Sequence, residues 1–316
     1  MNSAAETVPD SQIGPIPPAG ETPARPLASQ DPPCPAEADG QDDLPLTVIE
    51  ARPGWQIVNF RELWRYRELL VFLTWRDIKV RYKQTVLGAL WALLQPLATM
   101  IVFVMFLGNV AGITTHQTPY PLFVLAGTIA WTFFANAVST AGSSVVGSQN
   151  LVTKVYFPRL IIPMGAVGAG LVDFVVACGL YAVVMAWYGL VPGWNILLAP
   201  LIFLFLAIAA LGVGTLLAAL TVAYRDFRYV VPFGVQLWMF ATPCIYMQSE
   251  IVVGPNGQTW LPLNPAYGLI YNFRQCLLGG PLDTYALWVS AAVSVALLVV
   301  GCMYFRRVER SFADII

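Results

Sequence analysis

Residues 198–223 read LAPLIFLFLAIAALGVGTLLAALTVA, a run of 26 residues without a charged side chain. An α-helix rises 1.5 Å per residue, so this run is long enough to cross the roughly 30 Å hydrocarbon core of a bilayer. In lipid every backbone polar group must be hydrogen-bonded within the protein, which leaves helices and closed barrels as spanning structures. The stretch therefore predicts a membrane-spanning helix and an all-α integral membrane protein.

Apolar runs of similar length lie on both sides of this stretch, at 86–110, 119–146, 160–188, 230–248 and 284–305. Over the whole chain 57% of residues are hydrophobic and 11% are charged, whereas a soluble domain carries about 25% charged residues. We therefore expect a domain of six transmembrane helices over 86–310, followed by a cytoplasmic tail at 311–316.

The chain before the first span divides into two parts. The first 50 residues hold nine of the 18 acidic residues and ten of the 24 prolines, with Arg25 as their one base. Such a segment cannot bury enough apolar surface to offset its ordering entropy, so residues 1–52 are predicted to be a disordered, acidic, proline-rich cytoplasmic tail. Residues 61–82 place apolar side chains at helical spacing among bases and aromatics: Leu63, Tyr66, Leu70, Leu73 and Ile78. This pattern predicts an amphipathic helix in the inner membrane interface over 53–85, and a plain juxtamembrane segment is the alternative.

A second short apolar segment lies between the fifth and sixth spans. Residues 266–278 follow the Asn264–Pro265 break and are too short to span the bilayer. Glycines and prolines on both sides supply turns. We expect a short re-entrant or interfacial helix on the outer side.

Basic residues are confined to alternate links. The segment 61–83 has seven bases, and the links at 147–159 and 224–229 have two each, whereas 111–118 and 189–197 have none. Positive charge is retained on the cytoplasmic side of bacterial membranes. The pattern predicts a multi-pass protein of the bacterial inner membrane with both termini in the cytoplasm.

The residues needed for common catalytic sites are missing. No phosphate-binding loop of the form G-x-x-x-x-G-K-[ST] occurs, His116 is the one histidine, and the five cysteines show no paired spacing. Between residues 84 and 305 there are only nine charged side chains. We expect a pathway or scaffold rather than an enzyme, with no cofactor or metal bound by this chain and no nucleic-acid partner.

Asp173 is the one acid deep within a predicted span. A charge at the centre of a bilayer costs about 2.5–3.5 kcal/mol on insertion scales. Asp173 should therefore face the protein interior, either as a residue of a substrate path or gate or as a polar clamp between helices.

Aromatic and polar residues in the first and fifth spans form a candidate path. Aromatic rings stack on the C–H faces of sugars, amide and hydroxyl groups meet sugar hydroxyls, and conduction needs many weak sites. Packing against the core or exposure to lipid are the alternatives for each ring. The candidates are Gln95, Thr99, Phe103, Phe106, Gln236, Trp238, Phe240, Thr242 and Tyr246.

Five ordered segments of the chain resemble the type-2 ABC permeases that export O-antigen and teichoic-acid polysaccharides. The segments are WRDIKVRYKQTVLGALWALLQPL (75–97), LAGTIAWTFFANAV (125–138), NLVTKVYFPRLIIP (150–163), YRDFRYVVPFGVQLWMFATPCIY (224–246) and LNPAYGLIYNFRQCLLG (263–279).

The resemblance implies a half-transporter with six spans, an N-terminal interface helix and short outer re-entrant helices between spans five and six. Two copies would pair with each other and with two copies of a separate ATPase subunit that binds ATP and Mg²⁺, and a lipid-linked polysaccharide would pass between the copies along the first and fifth spans. The contacts with the ATPase would map onto Arg76, Asp77, Lys79, Arg81, Tyr82, Asn150, Lys154, Tyr156, Phe157 and Arg159, with Arg225, Asp226 and Arg228 as further candidates.

The expected function is therefore that of the permease subunit of an ATP-driven exporter of a lipid-linked O-antigen, capsule or teichoic-acid polysaccharide. The alternative within transport is an exporter of drugs or small lipids. The alternative from another class is a membrane enzyme of lipid-linked sugar assembly.

Overall fold

A computed structural model describes residues 60–83, 90–106, 119–242 and 257–309. Every regular element in these ranges is a helix, which confirms the all-α class. The predicted tails at 1–52 and 311–316 and the predicted path residue Tyr246 lie outside the described residues.

The helices follow one another with short connections where these are described. Their bounds are α1 (Phe60–Arg65), α2 (Arg67–Lys83), α3 (Leu90–Phe103), α4 (Tyr120–Gly147), α5 (Gln149–Lys154), α6 (Ile161–Trp187), α7 (Ala199–Ala223), α8 (Phe227–Ala241), α9 (Gly257–Trp260), α10 (Pro265–Leu278) and α11 (Thr284–Glu309). A 3₁₀ turn precedes α7 and another precedes α10.

Four helices, α4, α6, α7 and α11, are long and apolar enough to cross a membrane. They coincide with the second, third, fourth and sixth predicted spans. At the positions of the first and fifth, the described helices are shorter: an apolar helix over Leu90–Phe106, and α8. The remaining parts of those two predicted spans lie outside the described residues, so the count of six stays a prediction.

α4 is the central helix. It contacts α3, α6, α7, α8 and α10, and 78% of its apolar window is buried, compared with 28–39% for the other three long helices. Its mean hydropathy, 1.6, is nevertheless the lowest of the four. The most buried helix can be the least apolar one, because a helix surrounded by protein can carry polar side chains that would be costly in contact with lipid.

Small residues allow a close helix contact between α7 and α11. A Cβ added to Gly301 would overlap the carbonyl oxygen of Gly212, and one added to Gly212 would lie 2.6 Å from the backbone nitrogen of Leu298. Gly212 and Gly301 thus allow α7 and α11 to approach closely. On α6, Gly165 and Gly168 lie against Leu73 and Thr74 of α2.

A helix is present at the predicted position, interrupted at Tyr66 between α1 and α2, but apolar and polar residues are mixed around α2 instead of lying on opposite faces, so the prediction of an amphipathic helix was wrong for α2. Leu73 is buried, and Leu63 and Leu70 are partly buried against the same cluster. Apolar side chains such as Phe72 and Trp75 remain exposed on α2. Leu73 of α2 lies against Gly165 of α6, and Tyr82 near the end of α2 bonds to Asp173 further along α6, so α2 lies alongside the first half of α6.

The predicted short helix between the fifth and sixth spans is α10, which begins at Pro265. The Asn264 side chain caps its first turn by accepting from the backbone N–H of Ala266, and Gly279 ends it in the left-handed conformation at φ 72°. Ten of its 14 residues are buried, against α4, α7 and α11. This burial favours the re-entrant alternative over an interfacial helix.

Candidate functional site

The predicted path residues of the first span lie on a helix with one exposed face. On α3, Gln95 is exposed and Thr99 donates its hydroxyl to the Gln95 carbonyl oxygen at 2.9 Å. Phe103 packs partly against the core, whereas Phe106 is 65% exposed. The exposed face of the helix over Leu90–Phe106 therefore presents Gln95 and Phe106, whereas Phe103 packs partly against the core.

The fifth-span residues divide in the same way. Gln236 is exposed and Phe240 is 63% exposed. Trp238 donates its Nε1–H to Asn264 Oδ1 at 2.9 Å, and Asn264 donates its amide to Thr242 Oγ1 at 2.9 Å. Trp238 and Thr242 thus fasten α8 to the turn before α10. Their role in lining a path stays a prediction.

Trp238 also packs against an aromatic ring of α4. Its ring meets that of Phe134 on α4 edge-on, with 5.1 Å between the centroids. An aromatic pair of this geometry contributes roughly 0.5–1.5 kcal/mol beyond its buried area. A substitution at Trp238 would therefore disturb α8 as well as any path.

Asp173 is joined to two residues that the resemblance assigned to ATPase coupling. Arg81 donates to Asp173 Oδ2 in an ion pair, and the Tyr82 hydroxyl donates to Oδ1. Burial and the bond to Asp173 raise the pKa of Tyr82 to about 12, so Tyr82 stays a hydroxyl donor at physiological pH. The geometry corresponds to a polar clamp that fastens the end of α2 to α6.

This clamp borders a partly open cavity of about 280 Å³ that is lined by α2, α3, α4 and α6. Thr132, Asn136 and Thr140 project into it from α4, and Gln95 and Trp91 line it from α3. Sequence reasoning found Gln95 but missed the other four. The available signal was the spacing of the α4 side chains, polar groups four residues apart on one face of an apolar helix.

Several predicted coupling residues gather at the end of the bundle where α4 ends and α6 begins. Phe157 is buried in one cluster with residues of α5, α7 and α11. On either side of that anchor, Lys154 is exposed and Tyr156 is 76% exposed. Asn150, on α5, is also exposed. Phe157 therefore anchors the loop, which exposes the aromatic side chain of Tyr156 and the cationic side chain of Lys154.

Arg159 differs from its neighbours because it is engaged within the chain. Its backbone N–H donates to Glu309 Oε1 at 3.1 Å, and its Nη1 donates to the Glu309 carbonyl oxygen. These bonds fasten the 155–160 loop to the last turn of α11. Arg159 thus supports the loop, and its contact with an ATPase stays a prediction.

The other coupling candidates occupy two places. Arg225, Asp226 and Arg228 are exposed where α8 begins. On α2, Arg76 pairs with Asp77 at 2.9 Å, and Lys79 lies 5.6 Å from the centroid of the Trp75 ring.

The buried helix α10 carries a charge whose burial the sequence did not reveal. Arg274 is 1% exposed, with its guanidinium carbon 3.8 Å from the centroid of the Phe123 ring and 5.4 Å from that of Tyr271. Aromatic faces attract cations most strongly where water is excluded. Arg274 therefore packs α10 against α4.

No group of three or more metal-ligating side chains converges within the described ranges. Cys178, Cys276 and Cys302 are free thiols that lie in helices.

Known proteins resemble this chain over most of its length. Residues 68–278 match the ABC-2 type transporter family. The chain is 33% identical over 255 residues to the O-antigen export system permease protein RfbA of Myxococcus xanthus, covering 80% of this chain and 97% of the relative. It is 28% identical to the protein of the same name from Klebsiella pneumoniae (79% and 95% covered) and 23% identical to the polysialic acid transport protein KpsM of Escherichia coli (75% and 92%). With a family match over more than half of its length, the chain belongs to the ABC-2 type transporter family.

Proposed function

We propose that this protein is the permease subunit of an ATP-driven exporter that moves a lipid-linked polysaccharide across the bacterial inner membrane. The relatives support the substrate class, because they are named as O-antigen export permeases and a polysialic acid transport protein. They favour a polysaccharide over a drug or small lipid, and a transport subunit over an enzyme of sugar assembly.

One structural observation supports the proposed path most directly. The exposed faces of α3 and α8 are largely apolar, yet Gln95 and Gln236 are exposed among Phe106 and Phe240. An amide facing hydrocarbon has no hydrogen-bonding partner and is costly there. These two faces are therefore better suited to a polar path shared with a second copy of the chain than to lipid contact.

The same proposal assigns the energy source to another subunit. The 150–159 segment and the start of α8 present exposed basic and aromatic groups, which fit docking to a separate ATPase that binds ATP and Mg²⁺. In this arrangement Lys154, Tyr156, Arg225 and Arg228 face the cytoplasm, as do both termini. Two permease copies and two ATPase copies complete the transporter.

A co-purification and export experiment tests the proposal. The tagged chain is expected to retain an ATPase subunit whose hydrolysis depends on the permease, and cells lacking the chain are expected to accumulate lipid-linked polysaccharide inside. Purification without any ATPase, together with normal surface polysaccharide in the deletion strain, would contradict it. Accumulation of a small lipid or a drug instead would favour the alternative exporter.

A further inference from the structure

The cavity beside the Arg81–Asp173 clamp has the chemistry of a binding site. Its volume of about 280 Å³ is just below the roughly 300–1,000 Å³ of sites for drug-sized ligands, so it suits a smaller guest. Gln95 lines the cavity and is also exposed on α3. The cavity therefore adjoins the surface to which the path is assigned.

The charges at the cavity are balanced. Arg81 is its cationic lining residue, and Arg81 is already paired with Asp173, the acidic one. No excess positive charge is offered to a phosphate or carboxylate. The guest that fits this lining is uncharged.

Neutral hydrogen-bonding groups run along one wall. Thr132, Asn136 and Thr140 lie four residues apart on α4, so they form a row about 12 Å long. Thr140 donates its hydroxyl to the Asn136 carbonyl oxygen at 2.6 Å and keeps its acceptor capacity. Within the described residues the side chains of Thr132, Asn136 and Gln95 make no hydrogen bond, so their donors and acceptors are available to a guest with hydroxyl groups.

Aromatic rings form the rest of the lining. Phe133 and Phe174 are buried and pack against Phe203, with centroid distances of 4.7 Å and 3.7 Å. These rings make a rigid floor. Trp91 lines the cavity while 58% exposed. A large ring is thus accessible for stacking.

We propose that this cavity binds one neutral pyranose ring, with its hydroxyls on the Thr132–Asn136–Thr140 row and its C–H face against the aromatic lining. The inference rests on the proposed function in expecting a glycan, and it adds a defined sugar site within a single copy of the chain. The ring can belong to a free sugar or to the headgroup of a glycolipid.

Photolabelling of the full-length chain in lipid nanodiscs tests this site. The probes are a methyl glucoside and a dodecyl glucoside, each with a diazirine on the sugar, and a dodecyl phosphate with a diazirine but no sugar. The sugar probes are expected to label peptides containing Trp91 and Asn136. Labelling by both glucoside probes would show that the sugar ring alone is recognised. Labelling by the dodecyl glucoside and not by the methyl glucoside would show that the guest is the headgroup of a glycolipid.

Matched variants separate binding from folding. Trp91→Leu removes the exposed ring and Asn136→Leu removes the amide, and each is expected to reduce labelling about fivefold or more. Trp91→Phe keeps an aromatic face and should retain most of the labelling. Thr128→Val is the control on α4, because the Thr128 hydroxyl bonds to carbonyls of its own helix and does not line the cavity.

Two results would overturn the inference: equal labelling of these peptides by the phosphate probe, or unchanged sugar labelling in Trp91→Leu. Asn136→Leu can affect packing, whereas Trp91 is exposed enough to be replaced without unfolding. Polysaccharide export by the same strains is measured in parallel. Normal export without cavity labelling contradicts the site and leaves the exporter function standing, whereas labelling without export of any polysaccharide contradicts the function and keeps the site.

Discussion

Breaking the clamp between α2 and α6 should loosen the interface helix. Asp173 accepts from Arg81 and from Tyr82, and the Arg81 and Asp173 side chains are 35% and 21% exposed. A hydrogen bond to a charged group contributes about 1.5–3 kcal/mol when buried, and solvent screening at this exposure reduces the ion pair to about 1–2 kcal/mol. The neutral donor Tyr82 should contribute about 1 kcal/mol more.

A double-mutant cycle measures this contribution. Asp173→Asn, Arg81→Gln and their combination are compared by unfolding in mixed detergent micelles, and the coupling energy is expected to be about 1–2 kcal/mol. The matched control is the Arg76–Asp77 pair on the same helix, whose atoms are 2.9 Å apart but whose side chains are more exposed, at 40% and 30%. That pair should couple by less than about 1 kcal/mol.

The clamp reasoning would be refuted if the Arg81–Asp173 coupling did not exceed that of the control pair. Export per folded transporter separates the two roles first considered for Asp173. A clamp predicts that loss of export follows loss of folded protein. Full assembly without export in Asp173→Asn would instead assign a direct role in transport to the carboxylate.

Three further predictions concern other parts of the molecule. Tyr156→Ala should uncouple ATP hydrolysis from export without changing stability, because the side chain is 76% exposed; normal coupled export would remove it from the docking surface. Gly301→Ala should sharply reduce folded protein because its Cβ would overlap the α7 backbone, whereas the control Gly179→Ala meets nothing within 4 Å; equal yields would contradict the close packing. Phe106→Ala with Phe240→Ala should slow export per folded transporter several-fold while ATP hydrolysis continues, and unchanged export would show that these exposed rings do not line the path.

The sequence predicted features that depend on local composition. Apolar length identified the helices that became α4, α6, α7 and α11, and the Asn264–Pro265 break marked the start of α10 within one residue. These predictions succeeded because the bilayer imposes the same hydrogen-bonding requirement on every spanning segment, and because helix capping is decided by neighbouring residues.

Contacts between distant segments were decided only by the tertiary structure. Hydropathy could not show that the least apolar long helix, α4, is the most buried, because burial depends on which helices surround it. The assignment of Trp238 to a path was made without knowledge of Asn264, 26 residues away, to which its ring donates.

The sequence by itself determined that this chain is a membrane protein and which segments form its long helices. Five ordered motifs also determined its transporter family. The tertiary structure decided that Asp173 meets Arg81 and Tyr82, about 90 residues earlier in the chain, and that α4 aligns its polar row with Trp91 around one cavity. Helix formation is governed by neighbours within about four residues, whereas clamps and cavities arise from the packing of helices that no local pattern encodes.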